Sequence, residues 1–225
     1  MRRALTSTTL CLIAIGGSGP AYGQKHWDAP AIVTSYCSGC HGIDGNTELP
    51  YFPRLAELDP AYVAKKLAQF QEIPPPSVDE LYGKALNVLG TKQAAGNITR
   101  NERINMEGVA HAAKPEAIKQ AVLWYAQQRP APGRRGPKDL VQQGQELFTK
   151  GVPEQKILAC VNCHGQDAHG KSPAPRLAGQ NAEYIEAQLD KFRKGDRKHA
   201  PEMTIVTRDL NPDQAHAVAV YLQSK

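Results

Sequence analysis

Cys37-Ser38-Gly39-Cys40-His41 is the stretch that decides the fold, and it recurs as Cys160-Val161-Asn162-Cys163-His164. Both read C-x-x-C-H, the spacing that attaches a c-type heme. Chemistry sets that spacing: two thiols three positions apart can each form a thioether with one heme vinyl group, and the next residue brings an imidazole to the iron. On this reading Cys37, Cys40, Cys160 and Cys163 attach two covalent heme c groups, and His41 and His164 are proximal axial ligands. Two other readings compete. The two pairs could give four thiolates to one tetrahedral zinc, or a pair could be redox-active. The 123-residue separation of the pairs, and the histidine directly after each, weigh against both.

Outward from the first motif, the chain begins Met1-Arg2-Arg3, runs through an apolar stretch from Ala4 to Gly16 and reaches the small-residue motif Ala21-Tyr22-Gly23. That order predicts a secretory signal peptide over residues 1–23, cleaved after Gly23 and taking Cys11 with it. An uncleaved anchor is the alternative, since the motif ends in Gly rather than Ala. The apolar run is too short to span a bilayer as a mature helix, and no later stretch approaches that length, so the mature protein is expected to be soluble and periplasmic. All four remaining cysteines lie in the two motifs, which leaves none for a disulfide framework. Removing Arg2 and Arg3 leaves 25 basic against 22 acidic side chains, a net of +3, too mild to suggest nucleic acid. The excess lies in the second half, where Lys191, Arg193, Lys194, Arg197 and Lys198 form either a solvated helix face or a docking site for an acidic partner.

The two halves match beyond the motifs. Pro53-Arg54-Leu55-Ala56 follows the first and Pro175-Arg176-Leu177-Ala178 the second, with the Arg 17 and 16 residues after the leading Cys. Leu55, Tyr62, Leu67 and Phe70 then keep step with Leu177, Tyr184, Leu189 and Phe192. This is a tandem duplication of one domain. Arg129 to Lys138 is rich in Pro and Gly and lacks apolar periodicity, which makes it a linker. The expected division is a first domain over 24–129, a linker over 130–138 and a second domain over 139–225.

Each unit reads as helical. A helix precedes each motif, clearest in Leu140 to Lys150, where Leu140, Gly144, Leu147 and Phe148 share a face. A second spans Ala61 to Ile73 or Ala182 to Lys194. A last one runs from Pro115 to Gln128 or from Pro212 to Gln223, each opening on a proline that first-turn geometry accepts. No alternating strand runs are present, so the fold class is all-α.

The mature chain has two methionines, Met106 and Met203, 19 residues before Tyr125 and 18 before Tyr221. One per half at equivalent places marks them as distal axial ligands rather than core fillers, and His/Met ligation with both axial positions filled suits outer-sphere electron transfer. Between Gln71 and Asn105 the first half carries about 26 residues that the second lacks, beginning Pro74-Pro75-Pro76 and holding room for a short helix at Val78 to Leu89. This insertion could cover a heme edge, mark a partner surface or be tolerated surface chain. It also leaves His111 as a rival to Met106 for the first iron. Arg54 and Arg176 are candidate propionate contacts through charge-assisted hydrogen bonds, with a structural salt bridge as the alternative. Tyr62 and Tyr184 read as packing residues, and His26, His169, His199 and His216 as surface residues.

The order C-x-x-C-H, P-R-L-A, Tyr-x-x-x-Gln-Leu-x-x-Phe, Met and a last helix ending in Tyr resembles the diheme cytochrome c4 family. The second half carries it most fully, through Pro175 to Gln180, Tyr184, Gln188-Leu189, Phe192, Gly195, Arg197 and Met203. The resemblance implies two tandem class I cytochrome c domains packed together and a periplasmic carrier. Its partners would be redox proteins, with a membrane quinol-oxidising donor and a terminal oxidase. An enzyme or enzyme subunit of thiosulfate or sulfide oxidation is the competing function. It would need an open axial position or a substrate pocket, and only the insertion offers a place to build one. A gas or redox sensor would need an output domain.

Overall fold

The computed structural model describes residues 28–72 and 106–225. The signal peptide, Cys11, His26, Ile73 and most of the insertion, including Val78 to Leu89, lie outside the described residues.

Among the described residues the chain is helical, and its only strand-like features are isolated bridges, Val152 with Ile157 and Lys171 with Ala174. Helix α1 (31–41) contains one widened turn, Val33–Cys37, where the Ser38 N–H reaches back to the Val33 carbonyl, and a last α-helical turn, Ser38–His41. Helix α2 (Pro60–Gln71) starts on Pro60, and the Asp59 carboxylate accepts from the Tyr62 N–H at 2.8 Å. This is the helix expected from Ala61, shifted one residue by its cap. Helices α3 (106–112) and α4 (Pro115–Ala126) complete the first domain. In the second domain α5 (Lys138–Lys150) leads through the short 3₁₀ turn Pro153–Gln155 to α6 (Val161–His164). Helices α7 (Ala182–Arg193), α8 (Pro201–Thr207) and α9 (Pro212–Gln223) follow, α9 opening with a reciprocal Asn211–Gln214 capping box.

The second domain is built around the crossing of α5 and α9. Gly144 makes that crossing possible, because a Cβ there would lie 2.1 Å from the Ala217 carbonyl oxygen and 2.7 Å from Tyr221 Cβ. Phe148, one turn on, is fully buried with its ring 5.5 Å from that of Tyr221. Leu147, Ile157, Ile185, Leu210, Val218 and Leu222 fill in around them. The first domain packs Ile32 and Val33 of α1 against Ala121 and Tyr125 of α4.

The domains meet through a reciprocal exchange. The Arg54 guanidinium donates to the Gly179 carbonyl at 3.0 Å, and Arg176 pairs with Glu57 at 2.9 Å. Glu57 and Gly179 are each three residues after their own arginine and share a left-handed backbone, φ 57° and 74°. Each arginine thus reaches the same position of the opposite domain, the pattern of a quasi-twofold interface. Residues 127–137 hold no helix, yet they are tied down at both ends. The Ala131 N–H donates to Asn46 Oδ1 at 2.7 Å in the first domain, and Arg134 Nη2 donates to Gln223 Oε1 at 2.7 Å in the second.

Candidate heme-binding sites

Each C-x-x-C-H motif lies on a closing helical turn, which puts the two cysteines one turn apart with the histidine at the helix end. Gly42 and Gly165, both left-handed at φ 76° and 79°, end those turns directly after the histidine. The chain then doubles back, the Thr47 N–H bonding the His41 carbonyl and the Gly170 N–H the His164 carbonyl. That return brings a proline carbonyl to each ring: His41 Nδ1 lies 3.0 Å from the Pro53 oxygen and His164 Nδ1 3.0 Å from the Pro175 oxygen. A carbonyl only accepts, so each Nδ1 carries the proton and each Nε2 keeps its lone pair, the tautomer a metal ligand needs. Burial holds both imidazoles below the ordinary histidine pKa, against the opposing pull of those bonds, which favours the neutral ligand form.

The cysteine chemistry also fits heme. None of the four is paired in a disulfide. Burial, reinforced by Cys40, pushes the Cys37 thiol up to about 11, and burial pushes Cys160 to about 11. Such thiols are not the low-pKa nucleophiles of a redox C-x-x-C. Nor do the two pairs converge, since among the described residues no three His, Cys, Asp or Glu side chains form a group able to hold a metal ion.

Met106 is the first described residue of α3 and Met203 is the third residue of α8, so both half-buried methionines sit on helices just before the last helix of their domain. His111 is exposed on α3. Five helical positions separate it from Met106, which puts the two on different faces. Both arginines reach across the domain interface: Arg176 pairs with Glu57, and Arg54 donates to the Thr47 and Gly179 carbonyls. Tyr62 and Tyr184 are half-buried. His169, His199 and His216 are exposed and pair with Asp167, Glu72 and Glu186. The basic run is not a free patch. Asp190 takes both Arg193 and Lys194, and Arg197 stacks on the Phe192 ring at 4.1 Å.

Sequence reasoning missed Gln180 and Asn181, buried polar residues whose side chains cross to the first domain. The repeat marks these positions only as a difference between the halves, their counterparts four and five residues after Arg54 being Leu58 and Asp59, and not as a contact between domains.

The family model for cytochrome c matches residues 141–225. Over 228 residues the chain is 29% identical to a cytochrome c4 of Azotobacter vinelandii, covering 99% of each. A solved cytochrome c4 from Acidithiobacillus ferrooxidans is 31% identical, with TM-score 0.66 over 85% of this chain and 99% of that one. The chain belongs to the diheme cytochrome c4 family. It is a diheme electron-transfer cytochrome with two covalently bound heme c groups, folded as two class I domains, and its partners are redox proteins. Among its relatives is also a thiosulfate dehydrogenase electron acceptor of Stutzerimonas stutzeri, 32% identical over 194 residues, 82% of this chain and 76% of that one.

Proposed function

We propose that this cytochrome c4 is an exported, periplasmic electron carrier with both irons six-coordinate. Cys37 and Cys40 would hold the first heme together with His41 and Met106 as iron ligands, and Cys160 and Cys163 would hold the second with His164 and Met203. The observation that carries the reading is the shared design of the two proximal sites, a buried histidine tied at 3.0 Å to a proline carbonyl in each domain. Each heme supplies a one-electron couple. The protein fixes both axial groups so that little moves when the electron does, and keeps the imidazole neutral by burial. Arg54 and Arg176 retain further guanidinium donors for propionates beside their interdomain bonds. The donor is a membrane quinol-oxidising complex and the acceptor a terminal oxidase.

A second reading follows from the Stutzerimonas stutzeri relative: the donor is an enzyme of thiosulfate oxidation, and this chain is its electron acceptor. Optical and electron paramagnetic spectra of the oxidised protein test the carrier assignment. Two low-spin His/Met centres are expected, and a high-spin or bis-histidine centre in the first domain overturns it. Mixing the reduced protein with membranes, and the oxidised protein with a thiosulfate dehydrogenase, then separates the partner readings.

A further inference from the structure

The peptide that orients His41 is held from behind by the other domain. Pro53 C=O and Arg54 N–H are the two ends of one planar peptide unit. The carbonyl accepts from His41 Nδ1 at 3.0 Å, and the N–H donates to Gln180 Oε1 at 2.7 Å. Gln180 Nε2 closes the grip by donating to the Arg54 carbonyl at 3.0 Å. The preceding residue is fixed in the same way, for Asn181 Nδ2 donates to the Phe52 carbonyl at 2.9 Å and the Leu49 carbonyl at 3.1 Å. The Phe52 ring stands edge-on to the His41 imidazole, with centroids 6.2 Å apart. Asn181 is fully buried, and its Oδ1 accepts from Arg134 of the connecting segment at 3.2 Å.

The repeat makes the arrangement one-directional. Leu58, the counterpart of Gln180, has no polar side chain with which to hold the peptide beside His164. Asp59, the counterpart of Asn181, uses its carboxylate to cap α2. The second domain therefore grips the ligand-orienting segment of the first, and among the described residues Leu58 and Asp59 make no matching grip on the second.

We infer that Gln180 and Asn181 are positioning residues for His41, through which the docked second domain tunes the first heme. The inference rests on His41 being the proximal ligand. Accepting from one end of the Pro53–Arg54 peptide makes its other end a better acceptor, because bonds in series polarise one another. A better acceptor at Nδ1–H makes the imidazole a stronger donor to iron, which favours the oxidised state. Losing Gln180 should raise the first heme's reduction potential and leave the second's in place.

The test is a spectroelectrochemical titration of the full diheme protein carrying Gln180→Leu, which installs the residue the repeat has at this place. Asn181→Asp is the second variant. It keeps an acceptor for Arg134 but loses the donor to Phe52 and Leu49, and it carries the test should Gln180→Leu fail to fold. A Met203→Ala background, which displaces the second couple, identifies the first. The expected result is a roughly threefold to tenfold shift of the first heme's reduction equilibrium, up to about 59 mV for a one-electron couple. The hyperfine-shifted His41 ring resonances should move while those of His164 stay. Unmoved couples, or couples that move together, with two hemes bound would overturn the inference alone. Fewer than two hemes in the unmutated protein would overturn the heme assignment and the inference with it.

Discussion

In the second domain α5 crosses α9 at Gly144, and Phe148, Ile185, Leu210, Val218 and Leu222 surround the crossing as part of a continuous apolar cluster. In the first domain the corresponding cluster among the described residues is Ile32, Val33, Ala121 and Tyr125. The routes into the motifs differ as well. Helix α1 carries straight into Cys37 through its widened turn, whereas α5 stops at Gly151 and residues 151–160 form a separate connection. Among the described residues, one repeat therefore leads into its two heme motifs by different routes. Both domains are of about 100 residues, a size at which a bound cofactor and a docked neighbour add usefully to the stability of the apolar core. Within the first domain, Tyr125 and Trp124 donate to the Gly42 and Ile43 carbonyls behind the motif at 3.0 and 2.7 Å.

The largest expected effect breaks this comparison directly. Replacing Cys37 and Cys40 by Ala should abolish the first domain's cooperative unfolding transition, because binding free energy that only the folded state receives is folding free energy. Replacing Cys160 and Cys163 should leave the second domain with a weakened but measurable transition. Heme content should fall from two to one in each case, and circular dichroism melts of the two variants give the comparison. Equal melts would show that the difference in apolar core has no energetic weight.

Gly144→Ala sharpens the comparison from the other side. The new methyl would have to displace the Ala217 backbone, so α5 and α9 must move apart, and overpacking of this kind costs about 1–3 kcal/mol. The loss should appear in the denaturant midpoint of the second domain's transition, with the first domain's heme spectrum unchanged. A midpoint within error of the parent would mean that the crossing relaxes freely.

What could be read from the sequence follows from how local each determinant is. The motifs and the helices opening on Pro115 and Pro212 depend on residues within a few turns of one another, and so does α2, which begins one residue before its expected start at Ala61. The short helix α8 went unread because two turns give no usable periodicity. The roles of Arg54 and Arg176 were half legible: the repeat showed that both positions share a task, but a propionate and an opposing domain ask for the same guanidinium. Gln180 and Asn181 were illegible as a bridge because their partners lie 126 and 129 residues away and exist only once the domains dock.

The smallest expected effect lies in that docking. Glu57 holds a left-handed backbone at φ 57°, where its repeat counterpart is Gly179, and it pairs with Arg176 at 2.9 Å. Glu57→Gly removes a left-handed strain of about 1 kcal/mol in a non-glycine residue. It also loses an ion pair whose carboxylate is 56% exposed, and pairs that open to water contribute about 0–1 kcal/mol. The two nearly cancel, so thermal stability should stay within about 0.5 kcal/mol of the parent, a typical surface substitution. Arg176→Ala is the unequal partner. Its side chain is only 13% exposed, so truncation loses packing as well as charge and leaves Glu57 in its strained conformation without compensation. It should cost more than Glu57→Gly, and the double variant should fall closer to Arg176→Ala than the sum of the two. If Glu57→Gly proves the more damaging change, the carboxylate rather than the arginine stem holds this half of the interface together.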